Sequence, residues 1–231
     1  MSSGKNLNKK MLSTGNDIVS LNAINKTRTN QPGFYSKILS DTEKALYKEL
    51  LPAGIAFENF VWLLWSIKES AYKYLQRNTP GLVFSPTRFV VQRIEPPFGY
   101  ATTNIESSET EGTGFGNRPV LKSVITFGSD TLYSKSFIYR ELIVSVVNSN
   151  EDFENTSWGI KFISSSDPEY QSTAVRIFLV ARLNKLLKLD GVTISKSPHG
   201  FPLILSHDEH IEIPVSLSHH DQWVAYSFQL A

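Results

Sequence analysis

The chain has no cysteine, so disulfides, thiolate metal sites and cysteine nucleophiles are excluded together, and no oxidising compartment is required. Its apolar runs, FVWLLW at 60–65 among them, fall far short of the ~20 residues that a membrane-spanning helix needs. The opening MSSGKNLNKKM is positively charged with no apolar stretch behind it, so it does not read as a secretory signal. Residues 1–14 are polar and without period, which predicts a flexible tail. Carboxylates and histidines at zinc-ligand spacing are too few for a zinc site. There is no Gly-rich P-loop and no dinucleotide fingerprint. The 23 basic and 22 acidic residues nearly cancel to +1, which argues against binding nucleic acid over the whole surface and leaves room only for a local patch that holds phosphates. These absences together predict a cytoplasmic protein with neither a membrane nor a nucleic-acid partner.

The residues that are present describe a folded α+β chain. A hydrophobic fraction of 41% is that of an ordinary globular protein, and 231 residues suffice for two units with an apolar layer each. Ser40 followed by Glu43 is a capping-box signal that opens a helix over 41–51. FENFVWLLWSIKESAYKYLQ repeats its apolar residues at helical spacing up to the Asn78-Thr-Pro-Gly stop. After that stop the period becomes that of strands: RFVVQRI, VLKSVITF, KSFIYRE and LIVSVV, with a hairpin turn at FGSDT. The polar stretch Pro96–Pro119 predicts a long exposed loop. A second polar break at 148–157 divides the chain into residues 15–150 and 151–231. The later part repeats the grammar with a strand WGIKFIS, a long helix over about 170–189 and a closing strand in PVSLSHHDQWVAYSF. Two halves, each a long helix packed on a small antiparallel sheet and related by a pseudo-twofold, are the expected architecture, with a ligand between them.

Three short segments carry candidate chemistry: GNDIV at 15–19, WSIKESAYK at 65–73 and SLSHH at 216–220. Glu69 and Lys73 are four apart and share a helix face, with Lys68 one step round. A carboxylate beside ammonium groups suits a metal–diphosphate site, because the carboxylate holds a hard cation and the lysines meet the remaining phosphate charge. Taken singly, each segment also has an ordinary reading. Glu69 and Lys73 form a common helix surface pair, Gly-Asn-Asp is a turn into a strand, and His219-His220 is a pair of surface histidines.

In order and spacing, GNDIVSLNAIN, then Phe34 with KILSDTE, then WSIKESAYK resemble the holo-acyl-carrier-protein synthase type of 4′-phosphopantetheinyl transferase. The segments around SPHGFPLI and PVSLSHHDQWVAYSF resemble the first half of the surfactin-synthetase-activating type, with the order of the halves reversed as in a circular permutation. The resemblance implies magnesium held by Asp17 and Glu69. It places Lys68 and Lys73 at the phosphates of coenzyme A and Ser218 and His219 at the adenosine 3′-phosphate. It further implies transfer of phosphopantetheine to a serine of an acyl or peptidyl carrier protein, with release of adenosine 3′,5′-bisphosphate. Glu69, directly or through a water that it orients, is then the base and Lys73 its catalytic partner. Val19 stands where the surfactin type has an acidic residue, so a water is expected to take that coordination position. Gly200-Phe201-Pro202 lacks the lysine of the family's Gly-Lys-Pro, and Arg176, Lys196 or Arg182 is the expected substitute. Neither half holds a complete set, which predicts an active monomer with one site between its halves. The rival reading is a non-catalytic relative that binds carrier protein or coenzyme A without transfer.

Overall fold

The computed structural model describes residues 12–230. Residues 1–11, most of the expected tail, lie outside the described residues. Its inner end is not loose: Ser13 and Thr14 are buried, with Ser13 Oγ donating to the Tyr74 carbonyl and Thr14 Oγ1 2.9 Å from Ser227 Oγ.

Strand β1 (Gly15–Ser20) comes first and is buried throughout. Two single-turn helices, α1 (Lys26–Thr29) and α2 (Pro32–Tyr35), lead to α3 (Asp41–Leu50). The capping box that opens α3 is fully formed: Ser40 accepts from Glu43 N, and the Glu43 carboxylate accepts from Ser40 N. Helix α4 (Phe57–Gln76) follows at the bounds read from its period. Strand β2 (Val90–Glu95) then precedes β3 (Glu109–Thr113), β4 (Leu121–Phe127), β5 (Asp130–Ile138) and β6 (Leu142–Asn148). The later part runs β7 (Thr156–Phe162), α5 (Pro168–Leu187), β8 (Val192–Lys196), β9 (Pro202–Ser206), β10 (Glu209–Ile211), β11 (Val215–His220) and β12 (Trp223–Gln229). Helix α5 starts two residues before its predicted bound because Asp167 caps it and Pro168 occupies its first turn, where a missing N–H costs nothing. No helix among the described residues is long and apolar enough to cross a membrane.

The strands form three antiparallel sheets, ordered β1-β6-β5-β4-β2, β11-β12-β7-β3 and β10-β9-β8. The fold is α+β, with α4 on the first sheet and α5 on the second. Three apolar clusters separate these layers. Phe60, Leu64, Ile67 and Ala71 of α4 pack on Val19, Ile125 and Ile143 of the first sheet. Ile18, Phe137 and Val144 meet Trp158, Ile160 and Trp223 between the two sheets. Val175, Leu179 and Leu183 of α5 pack on Val224 and Phe228. The order across the molecule is therefore helix, sheet, sheet, helix.

Two features depart from the sequence reading. The 96–119 stretch is not all loop, since its ETEGT segment forms β3 and pairs with β7. The composition hides this because Glu and Gly are poor strand residues, whereas tertiary packing rewards them: a Cβ at Gly112 would stand 2.7 Å from the Trp158 ring. The same strand breaches the expected division at residue 150, since it comes early in the chain and belongs to the later sheet.

A second glycine sets the depth of the first half. A Cβ at Gly15 would lie 1.9 Å from the Ser70 carbonyl oxygen and 2.8 Å from Tyr74 N. Strand β1 thus lies directly on the α4 backbone, closer than any side chain allows. Gly15→Ala is expected to cost more than about 3 kcal/mol in urea unfolding, because backbone and not a yielding side chain meets the methyl. Gly33→Ala, with nothing within 4 Å, is the control and should change stability by less than about 1 kcal/mol; equal losses would mean that β1 can lift off the helix freely.

Candidate active site along the seam between the two sheets

Alternation along β1 divides its side chains. Gly15, Asp17 and Val19 face α4, while Asn16, Ile18 and Ser20 face the second half. On α4, Glu69 and Lys73 are one turn apart and turn toward β1. Lys73 Nζ lies 3.2 Å from Asp17 Oδ1 and 3.2 Å from Glu69 Oε1, and it donates to the Asn16 carbonyl at 3.1 Å. One ammonium thus links the two carboxylates predicted to hold metal.

Their electrostatics are unequal. Asp17 is 7% exposed, and burial pushes its carboxyl up to about 7 against the pull of Lys73, with the Glu69 charge raising it further. For Lys73, burial works against the charged form, but Asp17 and Glu69 outweigh it and hold the ammonium above its ordinary value. Asp17 Oδ2 is buried without a hydrogen-bond partner, as is the neighbouring Asn16 Oδ1. An unsatisfied buried carboxylate oxygen beside a second carboxylate fits a hard divalent cation, which binds through one or two carboxylates plus substrate phosphate. Among the described residues there is no cluster of three or more acidic, His or Cys ligands, so Asp17 and Glu69 would be its only protein carboxylates.

Strand β11 runs beside the outer edge of β1 and in the same direction. Its side chains take the edge N–H groups that a further strand would otherwise pair: Asn16 N donates to Ser216 Oγ at 2.9 Å and Ser20 N to His220 Nδ1 at 2.8 Å. Asn16 Nδ2 donates to Ser218 Oγ at 2.7 Å, and Ser20 Oγ to Asp221 Oδ2 at 3.0 Å. Ser218 is therefore buried and already committed to Asn16, whereas His219 is exposed. Partial burial holds the His219 imidazole below its ordinary value, and the charges of Lys73, His220 and Arg176 add to this while Glu69 opposes it. That shared field unites groups from both halves: Glu69 and Lys73 from one, His219, His220 and Arg176 from the other.

Other expected residues do not join this group. Lys68 is fully buried, its Nζ donating to Glu43 Oε2 at 2.7 Å and to the Ile38 carbonyl at 2.6 Å. The expectation that Lys68 meets phosphate is corrected accordingly, because one step along the helix rotates a side chain about 100° and turns Lys68 from the seam into the core. Glu43, whose Oε1 also accepts from Val91 N at 2.8 Å, is what makes a buried ammonium tolerable there. Arg182 is engaged by Glu111 and Thr113. Arg176 donates to the Ser172 carbonyl at 2.7 Å and to its hydroxyl, and Lys196 is exposed on the β8–β9 hairpin beside Gly200.

The sequence reading gave no role to Asn16 or Arg77 and took His220 for a surface histidine, whereas all three hold the two halves in place. For Asn16 the strand alternation was a usable signal, since it sits opposite in phase to Asp17. His220 and Arg77 act through bonds to distant backbone, and no local pattern announces those partners.

Residues 13–114 match the family model of the 4′-phosphopantetheinyl transferase superfamily. No curated protein and no solved structure matches the chain. The superfamily match takes in Asp17, Glu69 and Lys73 and ends just past β3, so Ser218, His219 and Arg176 lie outside it. It points to a phosphopantetheinyl transferase activity; the family uses coenzyme A, typically with a divalent metal, and acts on carrier proteins.

Within this transferase-like segment, Asp17 makes a testable contribution to stability. Its value rises on folding from 3.8 to about 7, so between these limits the folded state holds the proton more tightly than the unfolded chain. The corresponding stabilisation is complete below about pH 4 and is lost as pH rises through about 7. Without divalent cations, Asp17→Asn should be more stable than the native chain at pH 8 by on the order of 1–2 kcal/mol, with the gap closing toward pH 4. Urea midpoints at the two pH values measure it, and a less stable Asn variant at pH 8 would mean that Lys73 outweighs the cost of burial.

Proposed function

We propose that the protein is a magnesium-dependent 4′-phosphopantetheinyl transferase that moves the phosphopantetheine arm of coenzyme A onto a carrier-protein serine, with holo-acyl-carrier-protein synthase activity. The observation that carries this reading is the buried, unpartnered Asp17 Oδ2 beside Glu69 and Lys73 in the segment that matches the superfamily. Asp17 and Glu69 would hold the cation, which when bound would neutralise and polarise the diphosphate of coenzyme A.

The reaction is an in-line displacement at the β-phosphorus, with adenosine 3′,5′-bisphosphate leaving, and it demands positioning and charge stabilisation more than covalent help. Lys73 suits that role because its ammonium is held charged at the seam and offers its donors to phosphate oxygens as negative charge accumulates. Glu69, a quarter exposed and paired with Lys73, takes the proton of the incoming serine hydroxyl, directly or through a water. His219, Ser218, Arg176 and Lys196 are the groups proposed for the adenosine end. Ser218 would need to exchange its bond from Asn16 or share it. The halves, 15–150 and 151–231, are read as a fused pair whose order is permuted, and the enzyme as active in monomeric form.

Incubation with coenzyme A, Mg²⁺ and a panel of apo carrier proteins, with products weighed by mass spectrometry, tests the reading directly. The expected product is carrier plus phosphopantetheine. Asp17→Ala and Glu69→Ala should each reduce transfer by 10²-fold or more while the circular dichroism spectrum stays native. Full turnover by either variant, or in excess chelator, would falsify the metal assignment. Binding of carrier or coenzyme A without any transfer would support the non-catalytic alternative.

Lys73→Ala should lower kcat at least tenfold with a smaller change in KM for the carrier, since the lost contact is made to charge that grows during transfer. Steady-state kinetics at varied carrier concentration decide this, and an unchanged kcat with a raised KM would assign Lys73 to docking.

A further inference from the structure

Beyond Lys73 the seam opens into a cleft of about 150 Å³ between the C-terminal turn of α4 and the β8–β9 hairpin, lined by Tyr72, Lys73, Arg77, Phe201 and Ser216 among others. Arg77 caps α4, but its guanidinium is not spent on that helix. Nη2 donates to the carbonyls of Pro202 at 3.1 Å and Val215 at 2.9 Å, both in the second half. The guanidinium carbon sits 4.8 Å above the centre of the Phe201 ring. Two hydrogen bonds and a ring face thus fix the plane of the fork before any ligand arrives.

The remaining donors have no comparable use. Among the described residues, no carboxylate pairs with Arg77, and no hydrogen bond engages Nε or Nη1. Burial alone lowers the group to about 10. A cation drawn out of water without a counter-charge is costly, and an anion entering the cleft would relieve that cost. Lys73 precedes Arg77 by four residues on the same helix face, about 6 Å along the axis. Lys73 is already shared between Asp17 and Glu69, whereas Arg77 faces no acid. This spacing suits two separate phosphoryl groups of one ligand better than two oxygens of a single group.

We propose that Arg77 is a specificity-determining residue that receives a phosphate monoester of the substrate in the cleft beside Lys73. The proposal rests on the coenzyme A reading above, in which the monoester is the 3′-phosphate, the one charged group of that ligand beyond its diphosphate. Arg77 thereby adds a fixed guanidinium beside the hairpin, whose own Lys196 is exposed and joins it from the other side of the turn that ends at Phe201. Phe201 acts by holding the guanidinium flat.

Isothermal titration of the full chain with coenzyme A and with 3′-dephospho-coenzyme A, in Mg²⁺, separates ligand contact from a purely structural strut. The native chain should prefer coenzyme A by tenfold or more, the range of a charge-assisted contact. Arg77→Gln, which keeps a polar N–H group of shorter reach but removes the charge, should bring that ratio close to one while changing the dephospho affinity less than about threefold. A strut would weaken both ligands together and leave the ratio intact, and that result would overturn the proposal. Should Arg77→Gln fail to fold, the native chain still decides: adenosine 3′,5′-bisphosphate, but not adenosine 5′-monophosphate, should protect Arg77 from phenylglyoxal, mapped by peptide mass spectrometry. Equal protection by both refutes the assignment. A native chain that binds coenzyme A and its dephospho form equally well overturns the role of Arg77 and leaves the transferase reading standing, whereas one that binds neither overturns both.

Discussion

The contact between β1 and the α4 backbone governs the rest of the site. Gly15 allows an approach that any Cβ would forbid, and Asp17, two residues on and in the same phase, is thereby pressed against Lys73 and Glu69. The buried face of α4 serves this approach too: Ser66 and Ser70 are small, and Ser70 Oγ bonds the carbonyls of Ser66 and Ser145. A strand carrying a larger residue at position 15 would stand away from the helix, where Asp17 would be hydrated and would lose the raised affinity for its proton. The same closeness makes the site intrinsically unfavourable, because an ionised carboxylate is drawn from water with one of its oxygens unanswered. Function and stability pull in opposite directions at this residue.

Across the seam a different device operates. Strand β1 is an edge strand of its sheet and β11 an edge strand of the other, and two exposed ladders side by side would ordinarily invite backbone pairing. Here Ser216 and His220 reach over instead and satisfy the N–H groups of Asn16 and Ser20 in β1. The outcome is register without a continuous sheet. His220 must be neutral at Nδ1 to accept from Ser20 N, and burial, which lowers its proton affinity below the ordinary imidazole value, favours that form. The arrangement also explains why the groups from the two halves share one field although their residue numbers differ by some two hundred.

Much of this was readable before any coordinates. The capping box at Ser40 and Glu43 and the long period of α4 depend on local rules, and their bounds emerged almost unchanged. So did the pairing of Glu69 with Lys73, since a separation of four residues on a helix has only one geometric meaning. Lys68 shows the limit of such reading: motif spacing grouped it with Lys73, but its neighbour in space is Glu43, twenty-five positions back, and only packing reveals that. The strand at 109–113 was hidden for a similar reason, because Glu-Thr-Glu-Gly-Thr has poor intrinsic tendency and owes its shape to Trp158 and β7. The roles of Arg77 and His220 were illegible because their partners are main-chain atoms of remote segments, which leave no trace in side-chain pattern.

The excursion of β3 has a mechanical consequence. Because a strand from the early part of the chain is hydrogen-bonded into the later sheet, the polypeptide passes between the two layers more than once, and the layers are stitched rather than strung on a single linker. A lone tether would let them swing apart like jaws. A stitched pair resists such a gape, since opening would have to strip the β3–β7 ladder or stretch its flanking segments. Access to the seam then falls to smaller parts, the β8–β9 hairpin and the side chains at the cleft mouth, while the spacing between the face that carries Asp17 and Glu69 and the opposite wall is held as a fixed gauge for whatever enters.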